Sequence, residues 1–478
     1  MSRQPFAGEP RAVVVLPVED PTLGGEAALL EHEKAEFEVE LGTNVEVVAD
    51  DPGDGVARWL LRLDGDTGSP PTISFDPETR LIVSRASDVG GLFESVNLWR
   101  TLIRTGRGSL AARDCADLEE AIARVEAEVT DTYPSFELRG LDWPEICARH
   151  VERVRSSDDP LAAVQRWLAE LQDGHTWAWA PTGNLAYAVS VAGGTATFAR
   201  IPAGTGAHAA GVRPGWHLAE IDGAPVDAAD WLARAAAPPH SRPLIAGRRL
   251  LAGATGTLRT LRAVGPSGGH AEWEEAPTSL PEGPLVSWSR LDAERGYLQV
   301  RGWAAGQGID ELIDEAFAVL EGCGALVLDL RGNPGGNLLL ATRTRDRFLR
   351  ERTTLGSIRF STGEGRLSES LPIVAQPAPA EKRWSGRLVV LTDPLTFSSS
   401  EDFLLGLQGL EHVTVVGAPS GGGSGRPRAL RLLPGWTLTV STALTYDRES
   451  RCVEGAGIPV DIPVAGTDDE VLAIARTL

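Results

Sequence analysis

Residues 388–401, with the sequence LVVLTDPLTFSSSE, constrain the fold of this chain more than any other stretch. The stretch opens with an apolar run rich in β-branched residues, which is typical of a strand buried on both faces. A proline and several small polar residues then end the run, and apolar residues return at helical spacing over residues 402–410. The sequence therefore predicts a strand, a tight loop that carries three serines, and a helix.

The three serines of this loop, Ser398, Ser399 and Ser400, stand at the predicted start of the helix. Unpaired backbone N–H groups at a helix start point outward and favour developing negative charge. These N–H groups already supply part of an acyl-transfer site to a serine at this position. The alternative is that the serines only cap the helix. Motifs elsewhere in the chain decide between the two interpretations.

Length and charge set the broad class of protein. The chain has 478 residues, enough for about three domains with large cores. Its 42% hydrophobic and 23% charged residues are typical of a globular protein, and its formal net charge is −21. Such a surface repels nucleic acids and anionic membranes, so neither is expected as a partner. No run approaches about 18 consecutive apolar residues, so no membrane span is expected.

Cysteine usage and the N-terminal residues predict a cytoplasmic protein. The N-terminal sequence has only about five apolar residues in a row before acidic residues follow, so we expect no signal peptide. The four cysteines lack metal-ligand spacing, and we expect reduced, mostly buried thiols at Cys115, Cys147, Cys323 and Cys452. No P-loop, dinucleotide fingerprint or zinc spacing is present, so we expect no cofactor and no metal.

Residues 1–112 are predicted to form an α/β accessory domain. Strand-like and helix-like segments alternate there, including a helical pattern over residues 24–41 and a hairpin over residues 72–87. We find no catalytic constellation in this domain. A structural or partner-docking role is therefore expected for it.

Residues 113–180 are predicted to form a helical segment that ends at a histidine. Two stretches within it carry apolar residues at i, i+3 and i+4. The second helix stops at Gln172, Asp173 and Gly174, and His175 follows directly, ahead of a strand-like stretch. A histidine just past a helix end can project into a cleft. The alternative is a surface or packed imidazole with no catalytic role.

Residues 181–280 are predicted to form a β-rich domain. The stretch TATFARI is followed by AHAAGVRPGWHLAEIDGAPV, which combines a short helix, a Pro-Gly turn and a strand. This order resembles a PDZ domain, and the resemblance implies binding of an extended peptide by strand addition. The insertion over residues 237–253 is longer than we expect for such a domain.

Residues 281–478 alternate between strand-like and helix-like segments, which predicts a parallel sheet covered by helices. Within this block the buried strand ALVLDL runs into the sequence RGNPGG at residues 331–336. Gly335 and Gly336 lack Cβ atoms, so their backbone amides can approach a substrate carbonyl closely. The alternative is that RGNPGG only forms a tight turn after the strand.

Four motifs in a fixed order connect these segments. They are DGHT, GALVLDLRGNPGG, the serine loop that ends in Ser-Xaa-Ser-Glu, and EGAGIPVD at residues 454–461. Together they resemble the S41 peptidases, which are the C-terminal-processing or tail-specific proteases and their tricorn-like relatives. The resemblance implies an α/β fold with a crotonase- or ClpP-like catalytic domain at residues 281–478 and an inserted PDZ-like domain. It also implies hydrolysis of peptide bonds by a serine nucleophile.

Carried over onto this sequence, the nucleophile of the family falls on Ser398. In the branch that uses a Ser-Lys dyad, the lysine position corresponds to Gly423, and residues 417–428 contain no lysine. Arg426 and Arg428 cannot replace it, because a guanidinium does not release its proton near neutral pH. The resemblance therefore implies the tricorn-like branch, in which a histidine is the base and a glutamate orients it.

The residues that match this branch are His175 and Glu454, although Gly174 stands where the tricorn protease carries an additional serine. Histidine suits proton transfer from a serine at neutral pH, and a carboxylate fixes its tautomer and stabilises the imidazolium. The resemblance implies an oxyanion hole made by the N–H of Ser399 and that of Gly335 or Gly336. Such a donor is typically worth about 3 kcal/mol.

The leading prediction is a serine peptidase that acts on peptides or unfolded protein tails, with self-association into a homo-oligomer left open. One alternative is a hydrolase or acyl transferase that uses the same triad on a small metabolite. The 13 tryptophans, against 4 tyrosines, and the unassigned N-terminal domain leave room for a specialised pocket. A second alternative is a non-catalytic peptide-binding protein of the same fold.

Overall fold

The computed structural model describes residues 4–15, 34–48, 51–53, 55–64, 66, 68–180, 182–279, 283–466 and 468–478. Residues 24–33 of the predicted helix 24–41 lie outside these ranges. The chain forms two compact units. Unit 1 comprises residues 1–158, 358–371 and 426–444, and unit 2 comprises residues 159–357, 372–425 and 445–478.

Unit 1 contains a six-stranded mixed sheet. In sheet order the strands are Val45–Val48, Ala12–Val15, Ala57–Arg62, Leu81–Arg85, Thr72–Asp76 and Ser109–Ala111. The first four are parallel to one another, whereas the pairings made by Thr72–Asp76 are antiparallel. This confirms the predicted hairpin over residues 72–87. The helices of the unit are Lys34–Leu41, Val89–Asn97, Trp99–Thr105, Leu118–Thr132, Phe136–Arg139 and Trp143–Arg155.

The core of unit 1 is aromatic and includes a segment that is remote in sequence. The rings of Trp59 and Trp99 have their centroids 5.3 Å apart, and those of Phe75 and Trp99 lie 5.9 Å apart. The antiparallel strands Arg428–Arg431 and Thr437–Val440 contribute Leu430 to the same core. Burial of this leucine is one reason why residues 426–444 belong to unit 1.

Unit 2 contains an antiparallel sheet within the region that was predicted to be β-rich. In sheet order its strands are His270–Glu275, Arg259–Val264, His217–Ile221, Thr195–Arg200 and Ala188–Ala192, with Ala224–Pro225 added to His217–Ile221. Short strands Gly183–Asn184 and Ala252–Gly253 pair separately. The helices of this region are Gly206–Ala209, Ala228–Arg234 and Arg242–Leu250.

A second sheet in unit 2 carries the predicted serine loop. In sheet order its strands are Val286–Arg290, Arg295–Val300, Ala325–Asp329, Arg387–Thr392, Val413–Gly417 and Ile462–Pro463. Only the first pairing is antiparallel, and the others are parallel as predicted. Its helices are Ile309–Val319, Leu338–Asp346, Ser399–Leu407 and Asp468–Ala475, and unit 2 also contains the helix Pro160–Ala169 and the strand Trp177–Trp179. The carboxyl ends of parallel strands meet at one edge, which is where loops commonly hold a site.

The predicted α/β class is confirmed, with an antiparallel β-rich region that precedes a largely parallel sheet. The chain also forms strands Thr353–Gly363, Arg366–Leu367, Leu371–Ala375 and Ala443–Asp447, and a short 3-10 helix at Ala380–Lys382. Within the described part of the chain, no helix combines the length and apolar character needed to cross a bilayer.

Candidate active site

Ser398 lies between the end of the strand Arg387–Thr392 and the start of the helix Ser399–Leu407. Its backbone has φ 60° and ψ −127°, a conformation that residues with a Cβ atom rarely adopt. Such strain costs on the order of 1–3 kcal/mol and persists only where the surrounding structure imposes it. Serine nucleophiles on sharp turns between a strand and a helix are exposed in this way. Ser398 therefore begins the helix in a backbone conformation that the surrounding structure must impose.

Glu401, in the first turn of the helix, fixes this conformation. Its Oε2 accepts hydrogen bonds from the backbone N–H groups of Ser398, at 3.1 Å, and Gly423, at 2.8 Å. Its Oε1 accepts from the hydroxyl of Ser420, at 2.6 Å, and from the N–H of Gly422, at 2.8 Å. One buried carboxylate therefore connects the backbone of Ser398 to the loop over residues 420–423.

Burial raises the pKa of Glu401 to about 7, and the four donors oppose this increase. We did not predict this role, because the glutamate was considered only as the last residue of the serine-loop motif. The spacing of serine and glutamate three residues apart at a helix start is the signature of a capping box. The sequence therefore could have predicted the bond from Glu401 to the backbone of Ser398. It could not have predicted the contacts of Glu401 with Ser420, Gly422 and Gly423.

His175 reaches Ser398 from a turn that Asp173 stabilises. The Asp173 carboxylate accepts hydrogen bonds from the backbone N–H of His175, at 2.8 Å, and from that of Thr176, at 3.3 Å. The imidazole Nε2 lies 2.9 Å from Ser398 Oγ, although the two residues are 223 positions apart. The structure thus brings together two of the predicted site residues in hydrogen-bonding geometry.

Burial lowers the pKa of His175 to about 4, and the negative charge of Asp173 opposes this decrease. Neutral imidazole is the form that can accept a proton from a serine hydroxyl. The surroundings therefore keep His175 in the state that a general base requires.

Phe397 packs against the imidazole and explains two departures from the family pattern. The ring centroids of Phe397 and His175 are 4.6 Å apart. A Cβ atom at Gly174 or at Gly421 would lie 2.6 Å from the Phe397 ring, and one at Gly423 would overlap it. The ring thus fills the space that a serine at position 174 or a lysine at position 423 would enter.

Glu454 is buried in the same region, but it does not contact the imidazole through a hydrogen bond. The N–H of the next residue, Gly455, donates to the carbonyl of Gly422, at 2.8 Å. The Nδ1 atom of His175 is buried and has no hydrogen-bond partner among the described residues. The orienting role of Glu454 stays a prediction.

The backbone N–H groups that were predicted as oxyanion donors differ in whether they already donate a hydrogen bond within the protein. A Cβ atom at Gly335 would lie 2.8 Å from Ser399 N and 2.9 Å from Ser398 Cβ, so this glycine lies directly against Ser398. Its own N–H donates to Asn333 Oδ1, at 2.9 Å. The N–H groups of Gly336 and Ser399 donate to none of the residues that the structure describes. Of the two glycines, Gly336 therefore has the amide that is free to bind an oxyanion.

The long insertion over residues 237–253 contacts the loop at residues 420–423. His240 Nε2 donates to the carbonyl of Ser420, at 2.8 Å, and the hydroxyl of Ser241 donates to the carbonyl of Gly421, at 2.8 Å. We assigned no function to these residues from the sequence. These two residues thus bind carbonyl groups of the same loop whose N–H groups bind Glu401.

Residues 294–464 match the model of peptidase family S41. This range includes Ser398, Glu454 and the glycines of RGNPGG, whereas His175 precedes it. The match confirms the family resemblance and the serine-peptidase class predicted from it. No curated protein matches the sequence.

Solved structures of peptidases share the fold. Mature CPAF complexed with lactacystin aligns with a TM-score of 0.54 and 16% identity, covering 75% of this chain and 96% of that chain. The photosystem II D1 C-terminal processing protease aligns with a TM-score of 0.50 and 18% identity, covering 75% of this chain and 96% of that chain. At such low identity the likeness shows the fold alone.

Proposed function

We propose, from the premise that this chain is a serine-type peptidase of the S41 kind, that it hydrolyses peptide bonds through Ser398, His175 and Glu454. The observation that carries the proposal is the distance of 2.9 Å between His175 Nε2 and Ser398 Oγ, on a serine held at φ 60°. A serine that only capped the helix would need neither the imidazole nor the strained backbone.

In the first half of the reaction, Ser398 Oγ attacks the peptide carbonyl carbon while His175 Nε2 takes the hydroxyl proton. The carbonyl oxygen becomes an oxyanion that accepts hydrogen bonds from the N–H groups of Gly336 and Ser399. The C–N bond then breaks, and the imidazolium gives its proton to the leaving amine. The product of this half is an ester between the acyl part of the substrate and Ser398.

In the second half, a water molecule replaces the amine. His175 accepts a proton from the water, whose oxygen attacks the ester carbonyl. The bond to Ser398 Oγ breaks, and the proton on the imidazolium returns to the serine oxygen. The peptide acid leaves, and the site is restored without a cofactor.

Glu454 is the residue that we assign to orient His175. In this role its carboxylate accepts a hydrogen bond from Nδ1–H and stabilises the imidazolium. Catalytic hydrogen bonds in sites without substrate are often long and form fully only in the substrate complex. The proximity of Gly455 to the loop beside His175 supports this assignment.

We also assign peptides or unfolded protein tails as substrates and residues 181–280 as a PDZ-like recognition domain. The antiparallel sheet, with Ala188–Ala192 at its edge, supports strand addition by an extended peptide. The cytoplasmic location and the formation of homo-oligomers stay predictions.

The experiment is incubation of the full chain with a mixture of peptides derived from denatured proteins, followed by mass spectrometry of new termini. New termini are expected with the wild type and with Ser385→Ala, which changes an exposed serine of the same unit. None are expected with Ser398→Ala or His175→Ala. A wild type that produces no new termini would contradict the peptidase proposal and favour a small-metabolite substrate or a non-catalytic binding protein.

A further inference from the structure

Unit 1 contains a cavity of about 550 Å³ that the proposed peptidase reaction does not use. Every residue that lines this cavity belongs to unit 1, whereas the proposed catalytic residues belong to unit 2. The volume is within the range of cavities that bind small molecules. Most of the lining residues lie on three helices and near the end of one strand, namely Lys34–Leu41, Trp99–Thr105, Leu118–Thr132 and Thr353–Gly363.

Arg100 lines the cavity, but all of its hydrogen bonds go to the protein itself. Its Nε and Nη2 atoms donate to Glu40 Oε1, at 2.7 Å and 2.5 Å. Its Nη1 donates to the carbonyl of Asp131, at 3.0 Å, and to Ser361 Oγ, at 3.4 Å, and Nη2 also donates to the carbonyl of Ser361. Every N–H group of this guanidinium is therefore occupied, and Arg100 serves to hold Glu40 in place.

Glu40 presents one carboxylate oxygen to the cavity without a partner. Only 8% of this residue is exposed, and Oε1 accepts from Arg100 and, at 2.7 Å, from Arg428 Nη2. The other oxygen, Oε2, accepts no hydrogen bond from the described part of the chain. Burial raises the pKa of Glu40, but the charges of Arg100 and Arg428 outweigh burial and lower it below its usual value. The free oxygen is therefore ionised and suited to bind a cationic group.

Arg104, one helical turn after Arg100, presents free donors to the same cavity. Its Nη2 donates to Glu128 and its Nε pairs with Asp131 Oδ2, at 2.6 Å. Its Nη1 donates to no residue that the structure describes, and 31% of the side chain is exposed. Arg366, which is more exposed still, lines the cavity as well. The more open side of the cavity thus carries guanidinium groups, which suit a carboxylate.

We propose that this cavity binds a small zwitterion with an apolar side chain, which is a free α-amino acid or a dipeptide. The ammonium group binds Glu40 Oε2, and the carboxylate binds the free N–H groups of Arg104. The apolar side chain packs against Trp99, Ile103 and Val39, which also line the cavity. A ligand with only one charge would satisfy one of the two charged groups and face the other unpaired. The inference does not depend on the proposed peptidase function.

The test is isothermal titration calorimetry on the full chain with Ser398→Ala, so that no dipeptide is cleaved. The probes are leucine, phenylalanine and leucyl-leucine, each compared with its C-terminal amide, which lacks the carboxylate, and its N-acetyl derivative, which lacks the ammonium group. At least one zwitterion is expected to bind at least about tenfold more tightly than both of its derivatives. No binding of any zwitterion at about 10 mM, or equal affinity for the derivatives, would overturn the inference.

Variants added to Ser398→Ala assign the binding to this cavity. Val39→Phe fills the cavity while keeping every charged group, and it is expected to abolish binding. Glu40→Gln is expected to remove the preference over the N-acetyl derivative, and Arg104→Gln the preference over the amide. Arg107→Gln is the matched control, because this exposed arginine of unit 1 does not line the cavity, and it is expected to bind as before. Undiminished binding in Val39→Phe would place the ligand elsewhere and overturn the inference.

Discussion

Replacing Glu401 by glutamine is expected to change how the stability of the protein depends on pH. Burial raises the pKa of this carboxyl from 4.5 to about 7 in the folded state. The folded state therefore binds the proton more tightly than the unfolded state does. The stability that Glu401 contributes is fully present below about pH 4.5 and is lost as the pH rises through 7.

The magnitude follows from the difference between the two pKa values. Each unit of pKa difference is worth about 1.4 kcal/mol, so the increase from 4.5 to about 7 corresponds to about 3 kcal/mol of unfolding free energy. His175 has the opposite dependence, because its pKa falls from 6.5 to about 4 on folding. Its contribution is present above pH 6.5 and is lost as the pH falls through 4. In the wild type the pH dependences of these two contributions have opposite signs and partly cancel. The total unfolding free energy of the wild type alone therefore reveals neither contribution.

The assay is urea unfolding followed by tryptophan fluorescence from about pH 4 to pH 8, for the wild type and Glu401→Gln. The wild type is expected to lose about 3 kcal/mol of unfolding free energy relative to the variant over this range. Glu315→Gln, at an exposed position on the helix Ile309–Val319, is expected to keep a constant difference from the wild type. A constant difference for Glu401→Gln as well would refute the reasoning, and so would a wild type that gains stability relative to the variant.

Three further predictions concern catalysis. The acid limb of the pH profile of kcat/KM is expected near pH 4, because burial lowers the pKa of His175 to about 4. Phe397→Ala removes the ring that packs against the imidazole and admits water, so it should move this limb towards pH 6.5. A limb that stays in place in Phe397→Ala would contradict this. Gly423→Ala is expected to reduce kcat/KM at least about tenfold, because the new Cβ would overlap the Phe397 ring. The double variant with Phe397→Ala lacks this overlap and should regain part of the lost kcat/KM. Glu454→Gln is expected to lower kcat about a hundredfold or more with KM little changed, and an unchanged kcat would remove Glu454 from the triad.

Local signals in the sequence predicted the strand, loop and helix around Ser398. The buried strand, the proline and the helical spacing all lie within a short stretch, so they could be interpreted together. The meeting of Ser398 with His175 was implied only by the family resemblance, because 223 positions separate the two residues. Spacing alone does not determine which distant segments pack together.

Other features of the site depend on packing that the sequence does not encode locally. The glycines at positions 421 and 423 appear in the sequence as a flexible loop, but in the fold they make room for the Phe397 ring. Gly335 and Gly336 are equivalent in sequence, and only the bond to Asn333 distinguishes their amides.

The most direct test of the central claim, that His175 activates Ser398, is covalent labelling with a fluorophosphonate probe. The labelled peptide is mapped by mass spectrometry in the wild type, Ser398→Ala, His175→Ala and the control Ser385→Ala. We predict a label on Ser398 in the wild type and in Ser385→Ala, and none in the other two variants. Absence of labelling in folded wild type, or labelling of Ser398 at an equal rate in His175→Ala, would contradict the account.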